Sequence, residues 1–168
     1  MAWHKRVFTQ TFGVVGAILE KDGKFLLGRE VQTKGPDNGK WSHPAGWVEV
    51  GEEPIMAIAR EVLEESGYTF TPTHLLGVYS LVRKDVRAHF KGTPHAIKLI
   101  FIGEISASQQ KLHDDISETR WFTPEEIYAM GPETLRDVDI KQMVKDYLAG
   151  DKYPLDLVTH TVAETPKP

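Results

Sequence analysis

At 168 residues, with 40% hydrophobic and 26% charged side chains, the sequence is long enough for one domain with a real core and unlike a disordered or membrane chain. A formal net charge of −4 argues against a broad nucleic-acid surface, which needs a strongly basic face, and leaves a small phosphorylated ligand open. The absence of cysteine excludes disulfides, thiolate metal sites and cysteine nucleophiles, so histidine and carboxylate chemistry is what remains.

Near the start, Lys5 and Arg6 precede an apolar run from Phe12 to Leu19. Gly13 and Gly16 break that run and no small-residue cleavage pattern follows it, so it reads as a strand and the protein is expected to be cytoplasmic, with no membrane association. "FGVVGAILEKDGKFLLGRE" reads as two strands around Asp22-Gly23, a turn dipeptide that accepts the positive φ of a tight hairpin. "VQTKGPDNGK" is expected as an exposed loop, and "WSHPAGWVEV" as two short extended pieces pinned by Pro44 and Gly46. A helix over about Pro54 to Ser66 follows, with proline in its first turn and Gly67 as its stop.

"HLLGVYSLV" and "HAIKLIFIGEI" are strand-like, joined by "RKDVRAHFKGTP", a hairpin connection or a substrate-side loop. "TRWFT" predicts a short strand, "PEEIYAM" a short helix opened by Pro124, and "TLRDVDIKQMVKDYLAG" a longer helix stopped by Gly150. The tail from Asp151 carries three prolines and is expected to wrap the surface or fray. With no repeat or linker, the whole chain 1–168 is read as one domain, core about 8–150 and tail 151–168, in which strands and helices mix as an α/β (α+β) fold on a mixed sheet.

On a helical wheel for residues 54–66, Ile55, Ile58, Ala59 and Val62 share a stripe that predicts the core face. Glu61, Glu64 and Glu65 fall on another arc at i,i+3 and i,i+4 spacings, where like charges cost a few tenths of a kcal/mol per pair, roughly. Arg60 can offset one of them. A hard cation, Mg²⁺ or alternatively Mn²⁺, would resolve the conflict, since it prefers carboxylate oxygen and shares its coordination with substrate phosphates. Taken alone, "REVLEES" reads first as an ordinary solvated helix face.

The wider stretch carries more. Gly46, five residues, Glu52, seven residues, then Arg60-Glu61-Val62-Leu63-Glu64-Glu65-Ser66-Gly67 resembles the Nudix box at every fixed position, with Tyr68 where an aliphatic residue is usual. The chain thus resembles the MutT-like Nudix hydrolases over about residues 8–150. "Pro44-Ala45-Gly46", "RWFTPEEI" and "KYPLD" are similar to the NudJ-like phosphatase subgroup of that family. The resemblance implies a Nudix-type α/β/α sandwich and a Mg²⁺-dependent pyrophosphohydrolase acting on a nucleoside di- or triphosphate or a related organic pyrophosphate. The alternative it leaves open is a non-catalytic, nucleotide-binding or regulatory Nudix-like module. An isomerase on a similar fold needs an essential cysteine, which this chain lacks.

By that resemblance Glu61, Glu64, Glu65 and the carbonyl of Gly46 hold the metal, while Arg60 pairs with Glu52 and orients the glutamates. Glu64 is the first choice for accepting the proton of the attacking water. Asp115, six residues before Trp121, is a candidate acid outside the box, with Glu118 competing and a solvated loop carboxylate as the alternative for both. Substrate contacts are sought at Trp47, which could stack on a heterocycle, and at cations such as Arg29 and Arg87, with Lys40, Arg83 and Lys98 as further options; any of these could equally be core or surface residues. His43, His89 and His95 are read as solvated or hydrogen-bonded before catalytic. The partner expected is a small nucleotide or organic pyrophosphate, with no stable nucleic-acid complex, and the protein itself a monomer or homodimer.

Overall fold

The computed structural model describes residues 7–8, 10–31, 35–106, 108–112 and 114–164. Asp22 and Gly23 both have positive φ, 53° and 76°, the pairing a type I′ turn requires, and they join β3 (Glu20–Lys21) to β4 (Lys24–Glu30). The apolar run before that turn is not one strand leading into it. β2 (Phe12–Ala17) pairs elsewhere, and at Ile18-Leu19 the chain passes from one sheet to another, Ile18 N–H donating to Phe101 O at 3.0 Å and Leu26 N–H to Leu19 O at 3.0 Å. Both residues are buried, Ile18 in the cluster that includes α3 and Leu19 with Val15 and Ala17 in the cluster that includes α1, as strand alternation places them; what changes at this point is the hydrogen-bonding partner.

The larger sheet runs β11 (Tyr153–Pro154), β7 (Phe70–Val82), β9 (His95–Ile105), β2, β6 (Ala45–Trp47), with β2 and β9 parallel and the other pairs antiparallel. In the second sheet β4 is central, flanked by β10 (Ile116–Phe122) on one side and by β3 and β5 (Trp41–Ser42) on the other. A short parallel pair joins β1 (Val7–Phe8) to β8 (Lys91–Gly92). "RKDVRAHFKGTP" is the connection between the hairpin strands β7 and β9, with a 3₁₀ turn at Lys84–His89.

Helix α1 (Pro54–Ser66) has the ends its sequence predicts: Pro54 in the first turn and Gly67 left-handed at φ 73°, its N–H reaching Leu63 O at 2.9 Å. It presses Ala57, Ile58 and Val62 onto Val15, Ala17, Leu75 and Phe101. Across the sheets, α2 (Pro124–Ala129) and α3 (Ile140–Ala149) bring Ile127, Ile140, Met143 and Val144 against Ile18, Phe25, Leu76 and Ile100. Alternate residues of β2 and β9 serve the two helical layers, as the strand period dictates, giving an α/β/α sandwich on a mixed sheet.

Two expectations are corrected. The α1 core stripe includes Ala57 in place of Ala59, and Glu61, only 9% exposed, lies on the buried side with it. The last helix begins at Ile140, six residues later than its pattern suggests. Residues 134–139 turn instead, because Leu135 bridges to Trp41 and is fully buried, and the side chains of Asp137 and Asp139 are drawn into ion pairs with Lys98.

Candidate active site

The acidic arc of α1 faces the β6 segment that enters it. Arg60 grips Glu52 with two parallel hydrogen bonds, Nε to Oε1 at 2.9 Å and Nη2 to Oε2 at 3.0 Å. Its Nη1 donates to Glu61 Oε1 at 2.6 Å and, more weakly, to Glu64 Oε2 at 3.4 Å, and Nη2 reaches Trp47 O at 3.4 Å. Glu49 N–H donates to Glu52 at 3.1 Å. The hydrogen bonds from Arg60 hold Glu52 below the usual carboxylate range. The expected pairing of Arg60 with Glu52 is therefore present, and Arg60 touches two of the three box glutamates besides.

Gly46 lies against the carboxylate of Glu61 so closely that a Cβ at that position would overlap it. Only glycine permits this approach of backbone to carboxylate. One residue earlier, Ala45 N–H donates to Glu65 Oε2 at 2.9 Å. Burial is the main cause that raises the pKa of Glu61, opposed by Arg60, and burial followed by the charge of Glu30 raises that of Glu65 well above the usual range. These are carboxylates whose surroundings call for a positive charge. Three carboxylates and a backbone carbonyl would offer a hard divalent ion oxygen donors only, the kind it prefers. Among the described residues no three acidic or histidine side chains already converge on one point. Glu64, the most exposed of the three, has among the described residues a single weak contact, 3.4 Å to Arg60, so its carboxylate is the least restrained of the set.

The remaining candidates scatter. Trp47 is 38% exposed and stacks on Phe12, ring centroids 4.9 Å apart and 6° from parallel, while Trp41 packs edge-on against Phe122 in the core. Arg29 is engaged by Glu118 at 3.1 Å and by Gly39 O at 3.2 Å, which ties up Glu118 as well. Arg87 is exposed in the 3₁₀ turn between β7 and β9. Asp115 is exposed at the head of β10, its carbonyl accepting from Val31 N–H at 2.8 Å, one residue before Ile116 pairs with Glu30. His95 takes Thr11 and Ser80 as partners at 3.0 and 2.9 Å.

Sequence reasoning missed a buried ionic network beside the box. Arg83 bonds Asp37 at 2.8 Å and Asp137 at 3.0 Å; Lys98, 2% exposed, bonds Asp137 at 2.7 Å and Asp139 at 3.1 Å. Arg136 bonds Glu30 at 2.6 Å and lies 3.7 Å from Asp37, which Lys40 also meets at 3.4 Å. Burial works to raise the pKa of Asp137, but Lys98 and Arg136 outweigh it and hold the group below the usual carboxylate range. Within this network sits His43, 1% exposed, with neither ring nitrogen hydrogen-bonded among the described residues; burial first, then Lys98, lowers its pKa to about 3. The only signal for it was a run of polar residues in strand-like and turn-like segments, with nothing local to pair them. Lys98 and Arg83, proposed as phosphate cations, are occupied here.

The family model for the NUDIX domain matches residues 8–146. Among curated proteins the chain is 31% identical over 143 residues to the ADP-ribose pyrophosphatase of Methanocaldococcus jannaschii, covering 85% of this chain and 76% of that one. It is also 31% identical over 146 residues to the phosphatase NudJ of Escherichia coli, covering 86% and 88%. Among solved structures it is similar to a NUDIX hydrolase from Nitrosomonas europaea, with a TM-score of 0.77, 32% identity and coverage of 90% and 98%.

Proposed function

The chain belongs to the Nudix family, and from that premise we propose that it is a divalent-metal-dependent pyrophosphohydrolase acting on nucleoside diphosphate derivatives, with Mg²⁺ as the ion. The observation that carries this reading is the contact of the Glu61 carboxylate with the Gly46 backbone, next to Glu65 on the Ala45 N–H, in a cluster with four carboxylates and one guanidinium. The relatives named for ADP-ribose pyrophosphatase and NudJ phosphatase activity point to hydrolysis of a phosphoanhydride in a small nucleotide.

In this reading Glu61, Glu64, Glu65 and the Gly46 carbonyl hold the ion, which supplies charge neutralisation on the phosphate oxygens and lowers the pKa of an attacking water. The residues do the rest. Arg60, clamped by Glu52, fixes Glu61 and steadies Glu64. Glu64, the least restrained carboxylate, takes the proton of the water. Trp47 and its stacking partner Phe12 offer an exposed aromatic face to the non-phosphate part of the substrate. Asp115, Arg29 and Arg87 stand as outer contacts, Arg29 only when it releases Glu118.

The test is phosphate and pyrophosphate release from nucleotide sugars, ADP-ribose, nucleoside di- and triphosphates and thiamin pyrophosphates with Mg²⁺, using Glu64→Gln as the blank. Turnover on at least one substrate is expected, falling by about a hundredfold or more in the variant while its fold is retained. Silence across the panel with wild-type protein would favour a non-catalytic nucleotide-binding module instead.

A further inference from the structure

We propose that the open edge of β7, residues 77–82, is the contact of a homodimer in which the β7 strands of two copies pair antiparallel across a twofold axis at Ser80. β7 lies at one side of the larger sheet, and β11 covers it only at Leu75 and His74. From Gly77 to Val82 it pairs with β9 on one side and, among the described residues, with no strand on the other. A free edge presents unpaired backbone N–H and C=O groups to any further strand, and folded chains guard such edges with charge, proline or a bulge. On β7 the guards stand earlier, at Pro72 and at the register shifts before His74 and before Gly77. The run that follows, "GVYSLV", carries neither a charge nor a proline.

The side chains point to a second copy as the occupant. Val78 stands opposite Leu99 and Val82 opposite His95, on the sheet face that α1 covers further along. Val78 is 61% exposed, Val82 45% and Ile97, opposite Ser80, 39%. With the axis at Ser80, Val78 of each copy meets Val82 of the other, and the small serine meets itself. An axis at Tyr79 would instead set Val82 against Leu76, where the register shifts. Charge selects the same arrangement. Beside the edge lies a cavity of about 420 Å³, bounded by residues 75–79, by Tyr153 and Leu157 and by two acids, Asp146 and Asp151. Past the opposite end of the strand is the exposed Lys84, while its neighbour Asp85 is held by Arg83 at 2.9 Å. Reversing the strand at Ser80 carries Lys84 of one copy to the level of Leu76 in the other, at the rim of that cavity. The antiparallel pair thus brings unlike charges together at both ends, whereas a parallel pair would set each charged end against its like.

Sedimentation equilibrium of the full chain, from micromolar to near-millimolar concentration, reads the mass directly, with circular dichroism as the fold control. The wild-type chain is expected to reach the mass of two copies. Ser80→Lys sets two ammonium groups together on the axis and should leave a monomer at every concentration. Because Ser80 Oγ also lies 2.9 Å from His95 Nε2, Val78→Lys tests the same contact without disturbing that bond, and it decides if Ser80→Lys does not fold. Lys84→Glu and Asp151→Lys should each raise the dissociation constant about tenfold, since each reversal acts at both ends of the dimer. The double variant Lys84→Glu/Asp151→Lys should return to within about threefold of wild type. A wild-type chain that stays monomeric throughout would overturn the proposal and leave the edge to a different occupant. So would a dimer that survives Val78→Lys, or two charge reversals that fail to offset each other.

Discussion

Beside α1, the carboxylates of Glu52, Glu61, Glu64 and Glu65 stand with one guanidinium, that of Arg60. A short distance away, the largely buried Asp37, Asp137, Asp139 and Glu30 face Lys40, Arg83, Lys98 and Arg136, four buried acids against four cations, with the half-exposed Asp85 a further partner of Arg83 at 2.9 Å. The second cluster is complete without a ligand: each acid has its cation, and the network ties β4, β7, β9 and the turn before α3 together. The first is not. Its surplus of negative charge is a standing cost in the folded chain that a bound cation would relieve, so imbalance marks the site and balance marks the architecture.

That contrast can be broken at its strongest point by Lys98→Met. Loss of one cation from the balanced cluster leaves Asp137 under-compensated and should cost about 3–5 kcal/mol, measured by urea denaturation; a loss below about 1 kcal/mol would mean the network is not the scaffold described. Mg²⁺ should act on the unbalanced cluster in the opposite sense. At roughly a hundredfold over its dissociation constant it should stabilise the chain by about 2.7 kcal/mol, visible as a rise in Tm that Glu61→Gln abolishes and Lys98→Met retains.

His43 sharpens the comparison through pH. Its imidazole takes a proton near pH 6.5 when unfolded and only near 3 when buried. Between those values the unfolded chain holds more protons, so the contribution of His43 is full above about pH 6.5 and is lost as pH falls through the window, by up to about 1.4 kcal/mol per pH unit. His43→Leu should flatten that part of the stability profile, with Lys98, Arg136 and Asp137 the charges that face the ring. An unchanged slope in the variant would remove His43 as the titrating group. The smallest effect is expected from Glu65→Gln: the amide still accepts from Ala45 N–H, one buried negative charge is gone, and the metal-free protein should hold or gain stability, by up to about 1 kcal/mol, while its response to Mg²⁺ disappears. A clear loss of stability would place Glu65 with the balanced cluster.

The two clusters were also unequally legible in the sequence. Gly46, Glu52 and Arg60 through Gly67 are joined by fixed local spacing, and the helical period alone brings Glu61 beside Glu64 and Glu65, so the box could be read before any fold was known. The Asp22-Gly23 turn and both ends of α1 were likewise written in local chemistry. Glu61 keeps its place on the acidic arc but is far more buried than the wheel alone suggests, because the Gly46 backbone gives it a partner inside. The balanced network had no such signature. Arg136 and Glu30 are 106 residues apart and Arg83 and Asp137 are 54 apart; each looks like a surface charge until the sheets are assembled. The passage between sheets at Ile18-Leu19 was hidden for another reason: strand alternation already sends these two residues to opposite faces, so nothing local marks where the hydrogen-bonding partner changes.

The two-residue strand β11 pairs Tyr153 with Leu75 and Pro154 with His74 along β7, at the end of the larger sheet's strand order. Proline has no N–H to offer a further strand, so the tail that occupies the β7 edge also ends the ladder there. A chain cut back to Gly150 would keep every box residue yet present a bare strand edge to its neighbours in solution. The final segment thus bears on colloidal behaviour and on which truncations stay soluble, quite apart from the chemistry the box performs.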